Sequence, residues 1–400
     1  MSAWENNKEI QIFREYLRIP SVQPDIDYEP CIEFLRKQAK DLGLPINVYY
    51  PGGKTKPVAV ITWQGTQPEL PSIVLNSHMD VVPVFEDKWV HAPFGAEMDE
   101  EGRIFARGSQ DMKCVGMQHL AAIRALKSKG VQLKRTIHVT YVPDEEIGGT
   151  LGMAAFVKTD DFKKLNVGFS LDEGIASTDD VYNVYYAEKY IWQVHFKITG
   201  QAGHGSLLLK NTVGEKLHYI LNKMMAFREH EAKRLESDPN LSIGDVTMVN
   251  LTTINGGVQS NVVPASLDVG FDIRIAIDVD PKEFENQLLR WCEEAGGGIE
   301  LAFDLKQPKI EATKIDDSNI YWVAFEKCLT KDMGLKIRKL ILPGGTDSRF
   351  IRQLGIPALG FSPMIETPLL LHDHDEYLKA DTYLRGCEIY VNLITSLANA

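Results

Sequence analysis

Up to about residue 185 the apolar positions switch between helical and strand periods. In "PCIEFLRKQAKDLG", Cys31, Leu35, Gln38 and Leu42 share one helical face, with Pro30 at the start and Gly43 as the stop. "PSIVLNSHMDVVPV" is a nearly continuous apolar run, the pattern of a strand covered on both faces. "DMKCVGMQHLAAIRALKSKG" predicts a helix with Asp111 at its N-cap and Gly130 just past its end. "RTIHVTYV" and "NVGFSLDEG" predict two more buried strands. This rhythm predicts an α/β fold on a mostly parallel sheet.

From Lys189 the pattern changes. "KYIWQVHFKITG" alternates like a strand with one exposed side, and "TVGEKLHYILNKMMAFREHEAKRLES" reads as a long amphipathic helix. Two alternating strands follow, "VTMVNLTTING" and "SLDVGFDIRIAID", then the helix "PKEFENQLLRWCEEAGG" and the strand "GIELAFDLK". The order β-α-β-β-α-β is that of a ferredoxin-like split unit. After Pro308 the first rhythm resumes through "LGIPALGFSP" to a last helix. The expected architecture is an α/β domain built from residues 1–188 and 309–400, with an α+β domain, 189–308, inserted into it.

Composition narrows the function classes. The chain has 400 residues, 44% hydrophobic and 24% charged, ordinary for a folded protein of two or three domains. A net charge of −12 argues against nucleic acid or an anionic membrane as partner, because both demand a basic face. The first residues lack the basic and apolar regions of a signal peptide, and no apolar stretch is long enough to span a bilayer. Cys31, Cys114, Cys292, Cys328 and Cys387 are scattered and form no C-x-x-C pair. That disfavours a disulfide framework and a thiolate zinc site, and fits the reducing cytoplasm.

The candidate chemistry sits where strands end. "VPDEEIGG" places Asp144, Glu145 and Glu146 directly after a buried strand, where like charges repel unless cations, raised pKa values or solvent accommodate them. His78 and Asp80 are two apart on a strand and share a face, so Asp80 is placed to accept the second N–H of a metal-bound imidazole. H-x-D is common, however, and also suits a structural histidine. Asp111 suits a plain N-cap, Glu173 an exposed acid at a strand end, and His372 and His374 a polar turn. In open α/β sheets ligands bind beyond the carboxyl ends of the strands, where His78, Asp80, Asp111, Glu145, Glu146 and Glu173 all fall. Oxygen and nitrogen donors without sulfur suit zinc, cobalt or manganese, and several carboxylates suit a dinuclear hydrolytic centre. Neighbouring glutamates in extended chain diverge, so one can hold a cation while the other faces water.

"LNSHMDVVP", "ARGSQDMKC", "VPDEEIGG", "LDEG" and "LHDHDE", in that order, resemble the motifs of the dinuclear zinc carboxypeptidase and aminoacylase family. The likeness runs from "FREYLRIPSVQP" to "TPLLLHDHDE", nearly the whole chain. It implies two Zn2+ per subunit, with His78 and Glu173 completing one site, Glu146 and His372 the other, and Asp111 bridging both. His372 rather than His374 fits the family's His-x-x-x-Glu spacing, here to Glu376. The resemblance makes Glu145 the general base and Asp80 the carboxylate behind His78. Met79 replaces a threonine common between them, with a side chain expected to point away from the metals. "TGQAGHGS" resembles the segment whose histidine, here His204, reaches the active site of the other subunit in a homodimer formed through the inserted lid domain. "GGVQSNVVPA" and "FDIR" resemble the segments offering Asn261 and Arg274 to the substrate, and "PGGTDSRF", with Thr346 and Arg349, the stretch cradling its carboxylate end. The implied reaction is hydrolysis of small-molecule N-acyl-L-amino acids. A dipeptidase or carboxypeptidase of the same family would use the same metals with another pocket. A metal-free binding relative should have lost a ligand or the base, and none is missing.

Overall fold

The computed structural model describes residues 4–400. Compactness divides the chain into two units, Met1–Tyr186 with Thr313–Lys339 and Thr346–Ala400, and Ala187–Ala312 with Leu340–Gly345. The second unit is a few residues wider than the expected 189–308, and it takes in a segment that the α/β rhythm assigned elsewhere. Lys189 explains part of this, since its N–H donates to the Leu342 carbonyl at 3.1 Å.

An eight-stranded sheet runs in the order Ile46–Tyr49, Val58–Trp63, Ile137–Val142, Ser72–His78, Val167–Asp172, Ala358–Gly360, Tyr182–Glu188 and Ile337–Leu342. Its centre is parallel, from Ile137–Val142 across to Ala358–Gly360. Its first strands, and the pairing of Ala358–Gly360 with Tyr182–Glu188, are antiparallel. The "IHVTYV" and "SIVLNSH" strands are buried at every residue, as parallel strands covered on both faces are. Alternation assigns side chains to two cores: Ala59 and Ile61 face one cluster, Val58 and Val60 the other. Helices Lys8–Leu17, Glu29–Leu42, Lys113–Ser128 and Ala380–Ala398 contribute to the larger cluster. Gly43 ends the second of these in the left-handed conformation, φ 63°, that a C-cap glycine supplies.

The second unit holds an antiparallel four-stranded sheet in the order Met248–Gly256, Ser266–Ile275, Tyr190–Thr199, Ile299–Lys306. With helices Val213–Ser237 and Pro281–Glu294 this is the strand order of a split βαβ unit. Trp192, Val194, Phe196 and Ile198 alternate into a core shared with Ile220, Met224, Phe284 and Leu288 of the two helices. Thr212 starts the long helix with a reciprocal capping box to Glu215. The structure adds a short pairing, Gly203–His204 with Val262–Val263, which the periodicity did not predict.

Candidate metal centre

His78 is the last residue of its strand. Its Nδ1 lies 2.8 Å from the Asp80 carbonyl oxygen. A carbonyl only accepts, so Nδ1 carries hydrogen and Nε2 is presented to Asp111 Oδ1 at 3.1 Å and Glu173 Oε1 at 3.5 Å. The Asp80 carboxylate is farther from Nδ1, at 3.6 Å. Its main work is at the next strand end, where Oδ1 accepts the Glu145 N–H at 3.2 Å and Oδ2 the Glu146 N–H at 3.1 Å.

Glu145 and Glu146 are not in extended chain. They form a 3-10 turn, Glu145–Ile147, that follows Asp144 at φ 64°, a left-handed conformation that aspartate tolerates better than most residues. The turn, rather than the alternation of a strand, aims the two carboxylates. Gly148 caps it at φ 98°, and at the next residue, Gly149, also at positive φ, a Cβ would meet Asp347 Oδ1 at 2.7 Å.

Asp111 differs from its expected role as an N-cap. The helix begins at Lys113, Met112 occupies the cap position, and no side chain caps it. Asp111 instead directs Oδ1 to His78 Nε2 and Oδ2 to His372 Nε2, the latter at 3.2 Å. His372 Nε2 also lies 3.1 Å from Glu146 Oε2. His374 is elsewhere, edge-on to the Phe85 ring. Buried Glu376 organises the loop before Asp111: it pairs with buried Arg107 at 2.7 Å and accepts the N–H groups of Gly108 and Gln110.

Two overlapping ligand-distance groups result, His78 with Asp111 and Glu146, and His78 with Glu145 and Glu173, the donor atoms of each lying within 4.8 Å of one another. Glu145 is therefore as close to its neighbours as a ligand would be. The electrostatics are those of crowded acids. Burial pushes the Glu145 carboxyl well above the usual range, and the charges of Asp347 and Glu146 add to it while His78 and Arg349 oppose it. Burial and Asp111 raise Glu146 to about 7, and likewise raise Glu173. For Asp111, hydrogen bonds from His372 and His78 overcome burial and hold the carboxyl far below the ordinary range. Hydrogen bonds to Asp111 and Glu146 push His372 up to about 10. Glu146 Oε1 is buried and has no hydrogen-bond partner. Buried acids in excess of imidazoles, one with an orphaned oxygen, form a donor set that fits cations.

Of the expected substrate residues, Thr346 and Arg349 are buried in the first unit, with the Arg349 guanidinium 4.7 Å from the Phe350 ring centre. His204, Asn261 and Arg274 belong to the second unit, which includes none of the candidate ligands. His204 is exposed, with Nδ1 2.8 Å from Ser206 Oγ, and the Asn261 carbonyl accepts the Gly205 N–H. Arg274 is held by Asp272, with Nε to Oδ1 at 2.6 Å and Nη2 to Oδ2 at 3.3 Å. Asp272, one turn of alternation away in "FDIR", is a partner the sequence reading did not single out. It also missed Asp347, buried with both carboxyl oxygens unpartnered and pushed up to about 8 by burial, then by the charge of Asp172. The one signal for Asp347 was its place beside Thr346 in "GGTDSR".

Carboxylates and imidazoles gathered at the carboxyl ends of a parallel sheet define a candidate metal-dependent hydrolase. The chain belongs to peptidase family M20/M25/M40, whose model matches residues 74–396. Mouse aminoacylase-1 is 51% identical to it over 392 residues, 98% of this chain and 95% of the mouse protein. An M20 family metallo-carboxypeptidase from Sulfolobus solfataricus aligns with a TM-score of 0.73 at 18% identity, over 98% of this chain and 99% of its own. A dinuclear metal binding peptidase of the M20 family from Bacillus subtilis aligns with a TM-score of 0.70 at 14% identity, over 97% of each chain. At such identities these two likenesses are of fold. Among the described residues, no helix is long and apolar enough to cross a membrane.

Proposed function

We propose that the protein hydrolyses the amide bond of N-acyl-L-amino acids to a carboxylate and a free L-amino acid, at a centre taking two Zn2+ per subunit. The observation that carries this reading is Asp111, whose two oxygens face two different imidazoles, as an acid bridging two ions would. The extent of the likeness to mouse aminoacylase-1 supports the substrate class. His78 and Glu173 would hold one ion, Glu146 and His372 the other, with Asp111 shared. Bound there, the metals would supply Lewis-acid polarisation of the acyl carbonyl and a lowered pKa for the attacking water.

The chain's own residues do the rest. Glu145 takes the proton of the water as its oxygen bonds to the acyl carbon, and delivers that proton to the amine nitrogen as the C–N bond breaks. A base whose carboxyl burial raises well above its usual range suits both transfers. Asp80 holds the Glu145–Glu146 turn through its two N–H groups. His204, contributed by a second copy in a homodimer formed through the Ala187–Ala312 unit, would hydrogen-bond the developing oxyanion, and Asn261 the substrate. Arg274 would take the α-carboxylate, with Asp272 fixing the guanidinium plane and Thr346 and Arg349 lining the same end. The free, buried cysteines suit a reducing, cytoplasmic setting.

The deciding assay compares N-acetyl-methionine with a dipeptide. Faster turnover of the dipeptide would transfer the assignment to a peptidase. Chelation is expected to remove activity, and added zinc or cobalt to restore it; activity surviving thorough chelation would discard the metal centre. Amidating the substrate carboxylate is expected to lower kcat/KM at least about tenfold, the loss of one charge-assisted hydrogen bond. Equal rates on the amide would remove Arg274 as the anchor.

A further inference from the structure

The segment Ser21–Gln23 runs beside the chain that continues from the His78 strand. Ser21 Oγ donates to the Met79 carbonyl at 2.6 Å, Val81 N–H to Ser21 at 2.8 Å, and Gln23 N–H to Val81 at 3.0 Å. These bonds fix the Gln23 backbone beside Met79–Val81, the segment that carries Asp80. Its side-chain nitrogen donates to Asp80 Oδ2 at 2.9 Å and to Asp144 Oδ1 at 3.1 Å. The Gln23 carbonyl oxygen is buried without a donor. With a carboxylate on each side the amide must present its two N–H bonds, because the flipped orientation would set oxygen against oxygen.

Each of these acids governs one part of the site. Asp80 bonds His78 through its carbonyl and the Glu145 and Glu146 N–H groups through its carboxylate. Asp144 is the left-handed residue that opens the Glu145 turn. Its carboxylate also accepts the Tyr28 hydroxyl at 2.8 Å and pairs with Lys56 at 2.7 Å, while its N–H donates back to Tyr28. Gln23 touches both Asp80 and Asp144 with one amide.

We propose that Gln23 is a positioning residue, setting the distance between the His78 strand end and the Glu145–Glu146 turn by holding Asp80 and Asp144 with the two N–H bonds of one amide. A neutral amide suits this task. A cation would draw the Asp80 charge away from the two peptide N–H groups, whereas the amide leaves that charge in place. The inference rests on the metal-centre reading above, since what the amide sets is the spacing of ligands and base.

The test measures zinc affinity by competition with a chromophoric chelator, on folded protein verified by circular dichroism. Gln23→Met keeps the side-chain length and removes both hydrogen bonds. Gln23→Glu keeps the shape, sets a third carboxyl against two, and carries the comparison should the methionine prevent folding. Gln38→Met is the control: Gln38 is also buried, and its Oε1 accepts from Arg124 at 3.1 Å. Both Gln23 variants are expected to bind zinc roughly 10- to 100-fold more weakly, as changes behind metal ligands do. Their kcat should fall while KM stays within about twofold. Gln38→Met should lower the thermal midpoint with zinc affinity unchanged. A folded Gln23 variant with wild-type zinc affinity would overturn the proposal while leaving the metal centre standing. Wild-type protein that takes up no zinc, cobalt or manganese would overturn the metal centre and this inference with it.

Discussion

Glu145→Ala is expected to abolish turnover, a loss of about 100- to 10,000-fold in kcat, while leaving metal content near that of the wild type. The geometry makes both halves of this result informative. Glu145 is buried, and its carboxyl is raised by burial and by Asp347 and Glu146, which suits a base. Yet it lies within ligand distance of His78 and Glu173, so proximity alone does not separate base from ligand. Metal content does. Glu146→Ala is expected to lower metal occupancy instead, because Glu146 faces His372 through Oε2 and has an orphaned Oε1. Elemental analysis of the two purified variants, beside their rates on N-acetyl-methionine, makes the comparison. Metal contents in the opposite order would exchange the two roles.

Mixing two inactive proteins, His204→Asn and Glu145→Ala, is expected to restore about a quarter of wild-type activity after subunit exchange. The motivating observation is that His204 is exposed in a unit that carries none of the candidate ligands. If each subunit lends its histidine to the other's site, a mixed dimer has one site lacking both groups and one site intact. Random pairing makes half the dimers mixed, and half of their sites whole, in a closed two-fold assembly. Labelled subunits verify the exchange. Complete exchange without recovery would assign His204 to its own chain's site or to none.

Much of the fold is legible locally. Strand and helix periods follow from backbone geometry, which sends alternate strand residues to opposite faces and every third or fourth helical residue to one face. "SIVLNSH", "IHVTYV" and "KYIWQVHFKIT" show their burial in their own letters, and Thr212 and Gly43 mark helix ends by their own chemistry. The acids of "PDEE" likewise signal a site by charge density, because so many carboxylates at a strand end call for compensation.

Which groups meet is a different question, and only the tertiary structure decides it. Asp111 reads locally as a helix cap, but the helix starts at Lys113, and the carboxylate faces imidazoles 33 and 261 positions away. The Asp80 carboxylate, two positions from His78 in sequence, spends its oxygens on N–H groups 65 and 66 positions on. Gln23 and Asp347 carry no local mark of their surroundings; one bridges two acids 57 and 121 positions away, and the other is buried without a partner. The sequence by itself determined the elements, their buried faces and the residue types available at the strand ends, because those depend on neighbours along the chain. The pairing of acids, imidazoles and amides was left to the packed fold, because a hydrogen bond senses distance in space, and chain separation sets no direction for it.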